Sequence, residues 1–383
     1  MKIAFCSNFL SAHQRPLCDA LYGSDDCEFR FIATKPLSDT RRAMGWKEEQ
    51  TPYVIASYES DAAYQSAADY VNHADVVMIA GDEETAFFRI AIKNKNTLIF
   101  RCCERIYRQG RWRAISPKGI LLRWNSYYKH PKRNLYMLCC SAYAAGDYAL
   151  LGSYLGHTYK WGYFTKVEDL DISQALDEKE PNLIFWAGRM LDCKHPESAV
   201  LVAEHLKECG IPFRMELAGD GPERERIQNM IAEKALTEQV CLLGTQSQEE
   251  THARMQKASI YLATSDYREG WGAVVSEAMS HGCAVVGCEA MGAVPFLIRN
   301  GQNGFSYPKG KETQLCHAVA QLLMDNTLRE QIGRGAYETM TNLWHPTVAA
   351  NRLIQLAKVM RSGTKQFYLD GPCSKAHVLR KGR

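Results

Sequence analysis

Two glutamates, Glu269 and Glu277, flank a glycine turn at the predicted start of a helix. Apolar residues around Leu262 predict a buried strand before the turn, and the run from Ala273 to Met279 has helical spacing after it. The unpaired N–H groups at a helix N-terminus attract phosphate, whereas glutamates accept hydrogen bonds from hydroxyl groups, as an acidic residue does for ribose. Together, these features indicate a site for a nucleotide-sugar.

The composition is that of a globular protein. The chain has 383 residues, enough for two domains with separate cores. No run of about 18 apolar residues predicts a transmembrane helix, and polar Ser7 and Asn8 after the first apolar run argue against a signal peptide. The 14 cysteines include no Cys-x-x-Cys pair, which favours free thiols in a reducing, cytoplasmic location.

Strand-like apolar runs alternate with helix-like segments, and this alternation predicts two parallel sheets with helices on both faces. We expect a Rossmann-like domain over residues 1–165, an acidic linker over 166–181 and a second Rossmann-like domain over 182–345. A helix follows near 346–361, and missing periodicity favours disorder in the tail 362–383. Two doubly wound domains of this kind would face each other across a cleft lined by the carboxyl ends of their strands. Helices predicted in this way include Arg15–Tyr22, Pro196–Cys209 and Gln248–Lys257.

In the second half, a glycine or polar element follows each predicted strand. Because parallel strands end at one edge of a sheet, these elements are expected to converge on one crevice. The elements are Gly188-Arg189 with Lys194, Gly219-Asp-Gly-Pro222, Gly244-Thr-Gln246 and Thr264-Ser265 before the glutamate turn.

The ordered set of motifs resembles the family 4 glycosyltransferases, which are retaining enzymes of the GT-B fold. The resemblance implies metal-independent transfer of a sugar, with retention, from a nucleoside diphosphate that we expect to be uridine diphosphate. The acceptor would be a hydroxyl of a glycan in cell-surface polysaccharide biosynthesis, and the helix near 346–361 would pack back on the first domain. The resemblance covers roughly Leu183 to Pro308 and rests on Gly188-Arg189, Lys194, Leu217–Pro222, Leu243-Gly244, and Glu269 and Glu277 followed by Ala278-Met279 and Gly282.

The resemblance also assigns residues. Arg189 and Lys194 would hold the donor diphosphate, Glu269 would contact the transferred sugar, and Glu277 would bind the ribose hydroxyls. Fixed cations and N–H dipoles aimed at the leaving diphosphate stabilise the transition state, so neither a metal ligand nor a cofactor other than the donor is predicted. Further donor-binding residues are Gly188, Gly244, Thr245, Gln246, Gly270, Gly272, Ala273 and Val274.

Each of these residues has a plainer interpretation. Arg189 and Lys194 could be surface cations, Glu277 could be solvated, and Glu269 could complement the helix dipole. The chain could also be a nucleotide-sugar enzyme without transfer, such as an epimerase or phosphorylase. A non-catalytic module that binds a nucleotide-sugar is a further alternative.

The first half is expected to hold the acceptor at its strand ends. Glu104 follows the predicted strand Leu98–Cys102, where relatives often place a histidine that faces the donor sugar, so Glu104 is the catalytic candidate of this half. An ion pair with a neighbouring arginine is the alternative for this residue. The other candidates are Asn8, His13, Asp82, Glu83 and Arg105.

A basic stretch runs from Arg101 to Arg133, where 10 lysines and arginines stand against the single acid Glu104. Aromatic residues such as Trp112 and Trp124 lie between the cations. This combination suits nucleic acid or an anionic membrane, and no nucleic-acid module is visible. We therefore expect peripheral contact with the inner face of the plasma membrane and a lipid-linked acceptor, with an ordinary basic loop as the alternative.

Overall fold

The computed structural model describes residues 1–37, 51–81, 86–108, 110, 116, 117, 120, 121, 124, 127, 134–364 and 368–379. The chain divides into two compact units. Unit 1 combines Met1–Thr165 with Pro346–Arg383, and unit 2 is Lys166–His345. Each unit contains one parallel sheet with helices, which confirms the predicted α/β fold with two Rossmann-like sheets.

Unit 1 builds its sheet from short apolar runs whose side chains are mostly buried, as parallel strands covered on both faces require. Its strands are β1 (Lys2–Ser7), β2 (Glu28–Ala33), β3 (Val54–Ala56), β4 (Val76–Ala80), β5 (Leu98–Cys103), β6 (Leu135–Cys139) and β7 (Thr158–Lys160), in the order β3-β2-β1-β4-β5-β6-β7. Its helices within Met1–Thr165 are α1 (Arg15–Tyr22), α2 (Asp61–Asn72), α3 (Ala86–Ala91) and α4 (Ala144–Ala149).

Unit 2 has a six-stranded parallel sheet in the order β10-β9-β8-β11-β12-β13. The strands are β8 (Glu180–Ala187), β9 (Arg214–Ala218), β10 (Val240–Gly244), β11 (Ala258–Ala263), β12 (Ala284–Cys288) and β13 (Phe305–Tyr307). The helices are α5 (Ile172–Asp177), α6 (Pro196–Glu208), α7 (Arg224–Glu233), α8 (Gln248–Lys257), α9 (Ala273–Ser280), α10 (Val294–Leu297), α11 (Glu312–Met324) and α12 (Asn326–Asn342), and a 3₁₀ turn spans Asp192–Lys194.

The segment 166–181, which the sequence predicts as a linker, contains helix α5 and the first residues of β8. The carboxylate of Asp171 caps α5 by accepting hydrogen bonds from the backbone N–H groups of Ser173 and Gln174, at 3.0 and 3.2 Å. Asp171 is therefore an exposed N-cap residue of α5.

The last segment of the chain completes unit 1. Helix α13 (Pro346–Ser362) packs on α1, and its Lys358 and Arg361 form ion pairs of 2.8 Å with Asp26 and Asp75. Beyond it, residues 368–379 lie along β7. The backbone N–H of Ala376 donates to Thr158 O at 3.1 Å, that of Lys160 donates to Ser374 O at 2.7 Å, and Cys373 is buried. The pairing of residues 373–376 with β7 differs from the disorder predicted for this part of the tail, because strand-edge pairing needs no periodic pattern.

Among the described residues, no helix combines the length and apolar character required to cross a bilayer.

Candidate functional site

The strand order of unit 2 creates a topological switch point between β8 and β11. From β8 the chain proceeds to β9 and β10 on one side, whereas β12 and β13 lie beyond β11 on the other. Ligands of doubly wound sheets bind at such a point, outside the carboxyl ends of the strands. Lys194 lies after β8 and Glu269 lies after β11, so two predicted site residues flank the switch point.

Three glycine loops meet beside this point. The backbone N–H of Gly188 donates to Ala218 O at 3.0 Å, and that of Gly219 donates to Gly244 O at 2.7 Å. A Cβ on Gly219 would overlap the carbonyl oxygen of Gly188, so only glycine allows the ends of β8 and β9 to approach this closely. The Lys194 side chain runs past the same loop, with its Cδ 4.0 Å from the position of a Cβ on Gly188.

Lys194 and Glu269 form a direct ion pair between Nζ and Oε2. Their side chains are about 20% exposed (21% and 20%), so solvent can still reach the pair. Arg189 is exposed, and its guanidinium has no ion-pair or hydrogen-bond partner within the part of the chain that the structure describes. The fold therefore brings two of the predicted charged residues together and leaves Arg189 available on the adjacent loop.

The glycine turn leads directly into helix α9. Gly272 has φ 91°, and a Cβ there would lie 2.6 Å from Met291 Cε, so the turn requires glycine. Ala273 and Val274 are the first residues of α9, and their N–H groups belong to the turn that has no acceptors within the helix. Gly270 is buried in the turn. This helix start has the donors that a phosphate group needs.

Glu277 projects from α9 into a buried environment, with 8% of its surface exposed, and burial raises its pKa to about 7. Burial and the charges of Glu277 and, more weakly, Glu269 raise the pKa of Tyr261, whose hydroxyl donates to Ala187 O at 3.1 Å. Both glutamates therefore act on one phenol of β11, whose hydroxyl reaches the end of β8. Glu277 is not the solvated helix residue that the plainer interpretation describes.

The remaining predicted donor residues lie after β10. Gly244 has φ 70°, Thr245 is exposed, and the Gln246 side-chain amide donates to Leu243 O at 3.1 Å. Their position at the edge of the three glycine loops is compatible with contacts to a nucleotide base.

The Glu277→Gln variant should show a pH-dependent gain in stability. The folded-state pKa of about 7 exceeds the ordinary value of 4.5, so the native state binds more protons between these values, and wild-type stability falls as pH rises from about 4.5 to 7. Glutamine carries no charge, so we expect a gain on the order of 3 kcal/mol at pH 8 and little change at pH 4.5, measured by urea unfolding. A gain of equal size at both pH values would contradict this assignment.

Four functional candidates were not found from the sequence. Tyr261 lies in the strand predicted around Leu262 and Asp266 follows that strand, His195 directly precedes the predicted helix Pro196–Cys209, and Lys309 adjoins no predicted element. Asp266 is buried, and its carboxylate contacts both His195 and Lys309. The only sequence signal was its position directly after Thr264-Ser265, at a strand end that already carried motifs.

The first-half candidate Glu104 is engaged within unit 1. Its carboxylate forms an ion pair with Arg108 and accepts a hydrogen bond from the hydroxyl of Tyr163. The ring of Tyr163 stacks on His13, with ring centroids 5.8 Å apart. The ion pair agrees with the alternative interpretation of Glu104, while the neighbouring Tyr163 and His13 make a polar, aromatic cluster at the ends of β1 and β5.

Other first-half predictions have mixed outcomes. Arg105 is buried and forms an ion pair of 3.3 Å with Asp147, so its guanidinium is engaged within unit 1. Asn8 lies beside Gly81, where a Cβ would be 3.0 Å from Asn8 Oδ1. Asp82 and Glu83 lie outside the described residues, as does most of the basic stretch 101–133.

Comparison with known proteins gives a family match that lies within unit 2. Residues 168–339 match the family model of the glycosyl transferases group 1. The alpha-D-kanosaminyltransferase of Streptomyces kanamyceticus is 28% identical over 162 residues, which cover 42% of this chain and 41% of the relative. The phosphatidyl-myo-inositol mannosyltransferase of Mycobacterium leprae is 29% identical over 185 residues, or 48% of each chain. The chain thus spans less than half the length of these curated relatives.

Solved structures resemble the fold over nearly the whole chain. Anabaena HepE in complex with UDP gives a TM-score of 0.65 at 15% identity and covers 94% of this chain and 100% of that one. TarM gives a TM-score of 0.66 at 11% identity, with 93% and 98% covered. The chain therefore has the GT-B fold with two Rossmann-like sheets, and its second unit carries the match to the glycosyl transferases group 1.

Proposed function

We propose that this chain is a group 1 glycosyltransferase of the family 4 type, acting in glycan biosynthesis. It transfers a sugar from a nucleoside diphosphate sugar, with uridine as the nucleoside, to a hydroxyl of a glycan acceptor. The observation that carries the proposal is the Lys194–Glu269 ion pair at the switch point, beside the start of α9. The UDP bound to HepE, a protein of similar fold, supports the choice of nucleotide.

The ion pair suggests how donor binding proceeds. A diphosphate oxygen replaces Glu269 as the partner of Lys194, and the released carboxylate accepts hydrogen bonds from hydroxyls of the transferred sugar. Arg189, which is exposed on the next loop, supplies a second cation, and the N–H groups of Ala273 and Val274 add dipoles. Charge that develops on the leaving diphosphate meets donors that are already in place.

Retention and metal independence belong to the same proposal. A leaving phosphate oxygen takes the proton of the acceptor hydroxyl on the face of departure, so no separate base is required. Arg189 and Lys194 provide the positive charge that a metal ion would otherwise supply. Glu277, buried on α9, accepts hydrogen bonds from the ribose hydroxyls.

The test combines binding with turnover. Thermal-shift measurements against nucleoside diphosphates and nucleotide-sugars should show stabilisation by UDP and by one UDP-sugar, because a ligand that binds only the native state raises its stability. Release of UDP should then depend on an added glycan acceptor. Stabilisation without release supports a non-catalytic module, conversion of the donor without acceptor supports an epimerase, and absence of any nucleotide effect contradicts the proposal.

We further propose peripheral contact of the segment 101–133 with an anionic membrane that carries a lipid-linked acceptor. Ile120, Leu121 and Trp124 are 52%, 62% and 55% exposed, an apolar group of the kind that inserts at interfaces. Arg101 and Arg105 are buried and cannot take part. We expect sedimentation with anionic vesicles at low salt that is lost with neutral vesicles, and recovery in the supernatant with both would contradict the contact.

A further inference from the structure

The carboxylate of Asp266 is the centre of a polar network beside the candidate donor site. Asp266 is 3% exposed and lies three residues after β11. Its oxygens accept hydrogen bonds from Arg268 Nη2 at 2.8 Å, Lys309 Nζ at 3.1 Å and His195 Nε2 at 3.2 Å. Burial alone would raise the pKa of Asp266, but the hydrogen bonds from His195, Arg268 and Lys309 outweigh it and hold the pKa well below its usual range.

His195 combines a left-handed backbone with a raised side-chain pKa. Its backbone is left-handed, with φ 49° and ψ 54°, a conformation that costs a residue other than glycine about 1–2 kcal/mol. Nδ1 lies 2.8 Å from Glu197 Oε1, and Nε2 contacts Asp266. Both nitrogens can donate only in the imidazolium form, and the hydrogen bonds to Asp266 and Glu197 raise the pKa of His195 to about 9.

The residue before His195 is Lys194, and the whole turn around it is tied to the segment after β11. The Thr264 hydroxyl donates to Lys194 O at 2.6 Å, and the backbone N–H of Asp266 donates to Cys193 O at 2.9 Å. Arg268 also forms an ion pair of 2.7 Å with Asp192. Every residue of the turn Asp192–His195 thus contacts the segment 264–268, Cys193 and Lys194 through their carbonyl oxygens and Asp192 and His195 through their side chains.

We propose that Asp266 is a positioning residue that, through His195 and the turn Asp192–His195, holds the Lys194 ammonium where it meets the donor diphosphate. The left-handed His195 redirects the chain immediately after Lys194, and the buried carboxylate keeps it in that conformation. Because Asp266 is buried and its oxygens are occupied by three cations of the chain, it acts on the diphosphate through Lys194. This inference rests on the proposed function.

A double-mutant cycle tests the coupling. Asp266→Asn should weaken UDP binding by roughly tenfold or more, measured by calorimetry, because Lys194 loses its fixed position. In a Lys194→Ala background the same substitution should change UDP affinity by less than about twofold. Uridine, which lacks phosphates, should bind wild type and Asp266→Asn alike in ligand-observed NMR titrations.

Two further variants distinguish a loss of Lys194 positioning from a general folding defect. His195→Asn removes the ring but tolerates a left-handed backbone, and should reproduce the selective loss of UDP affinity. Glu216→Gln removes another buried carboxylate of unit 2. Glu216 lies on β9 and pairs with Arg254 at 2.8 Å, and this variant should leave UDP affinity unchanged.

The outcomes separate the two proposals. Equal losses in the wild-type and Lys194→Ala backgrounds, or equal losses for UDP and uridine, would overturn the positioning role while the proposed function stands. A wild-type protein that binds no UDP would overturn both.

Discussion

Removing either cation of the proposed donor site should lower kcat by about 10²–10³, the loss seen when one preorganised electrostatic contact to a developing charge is deleted. Lys194→Ala removes the ammonium that pairs with Glu269 in the structure. Arg189→Ala removes the exposed guanidinium on the adjacent loop. The two groups do not substitute for each other, because a guanidinium fork and a compact ammonium bind phosphate differently. The measurement is acceptor-dependent UDP release under donor saturation.

Lys257→Ala is the matched control for this pair of variants. Lys257 is an exposed lysine at the end of α8 in the same unit, and its removal should leave turnover unchanged. Near-normal kcat in both Arg189→Ala and Lys194→Ala would show that neither cation contacts the reacting diphosphate.

Gly219→Ala should be the most destabilising single-methyl change in unit 2. The new Cβ would overlap the carbonyl oxygen of Gly188, which is backbone and cannot rotate away, and φ 133° is strained for alanine. Overpacking and backbone strain together predict a loss on the order of 3–5 kcal/mol in the free energy of unfolding. The ends of β8 and β9 would separate, so UDP affinity should fall as well.

Gly310→Ala separates the cost of backbone strain from the cost of steric overlap. Gly310 also has a positive φ, 81°, but a Cβ there meets nothing within 4 Å, so only backbone strain of about 1–2 kcal/mol remains. Urea unfolding of both variants measures the difference. Equal losses would mean that close approach of Gly219 to Gly188 contributes nothing.

Elements with strong local signals could be predicted from the sequence. Helices α1 and α8 have their predicted bounds, and α8 begins with a capping box in which Ser247 and Glu250 bond to each other's backbone. The three-residue strands β3, β7 and β13 are absent from the prediction, because three residues carry no readable alternation. Tertiary pairing, which the local sequence does not encode, defines these strands.

The candidate site, too, could be predicted from local sequence signals only in part. Glycine and charge patterns placed Lys194 and Glu269 after two predicted strands, but only the folded chain shows that these strands are neighbours and that the two side chains pair. The buried state of Glu277 depends on what packs over α9, which helical spacing does not reveal. The link between Asp266 and His195 joins residues 71 positions apart, and neither side chain carries a motif of its own.

The division of unit 1 into two chain segments affects how the protein is made. Lys358, the ion-pair partner of Asp26, is synthesised 332 residues after it, and Ala376, the hydrogen-bond partner of Thr158, is synthesised 218 residues after it. Unit 2 is continuous, so it can fold while unit 1 still lacks α13 and the strand-like segment beside β7. Unit 2 lies between the two segments of unit 1, and at ribosomal speeds of about 5–20 residues per second its synthesis alone imposes a delay of roughly 10–40 s. Nascent unit 1 therefore lacks α13 and the segment that pairs with β7 throughout the synthesis of unit 2, which leaves one edge of its sheet unpaired during that interval.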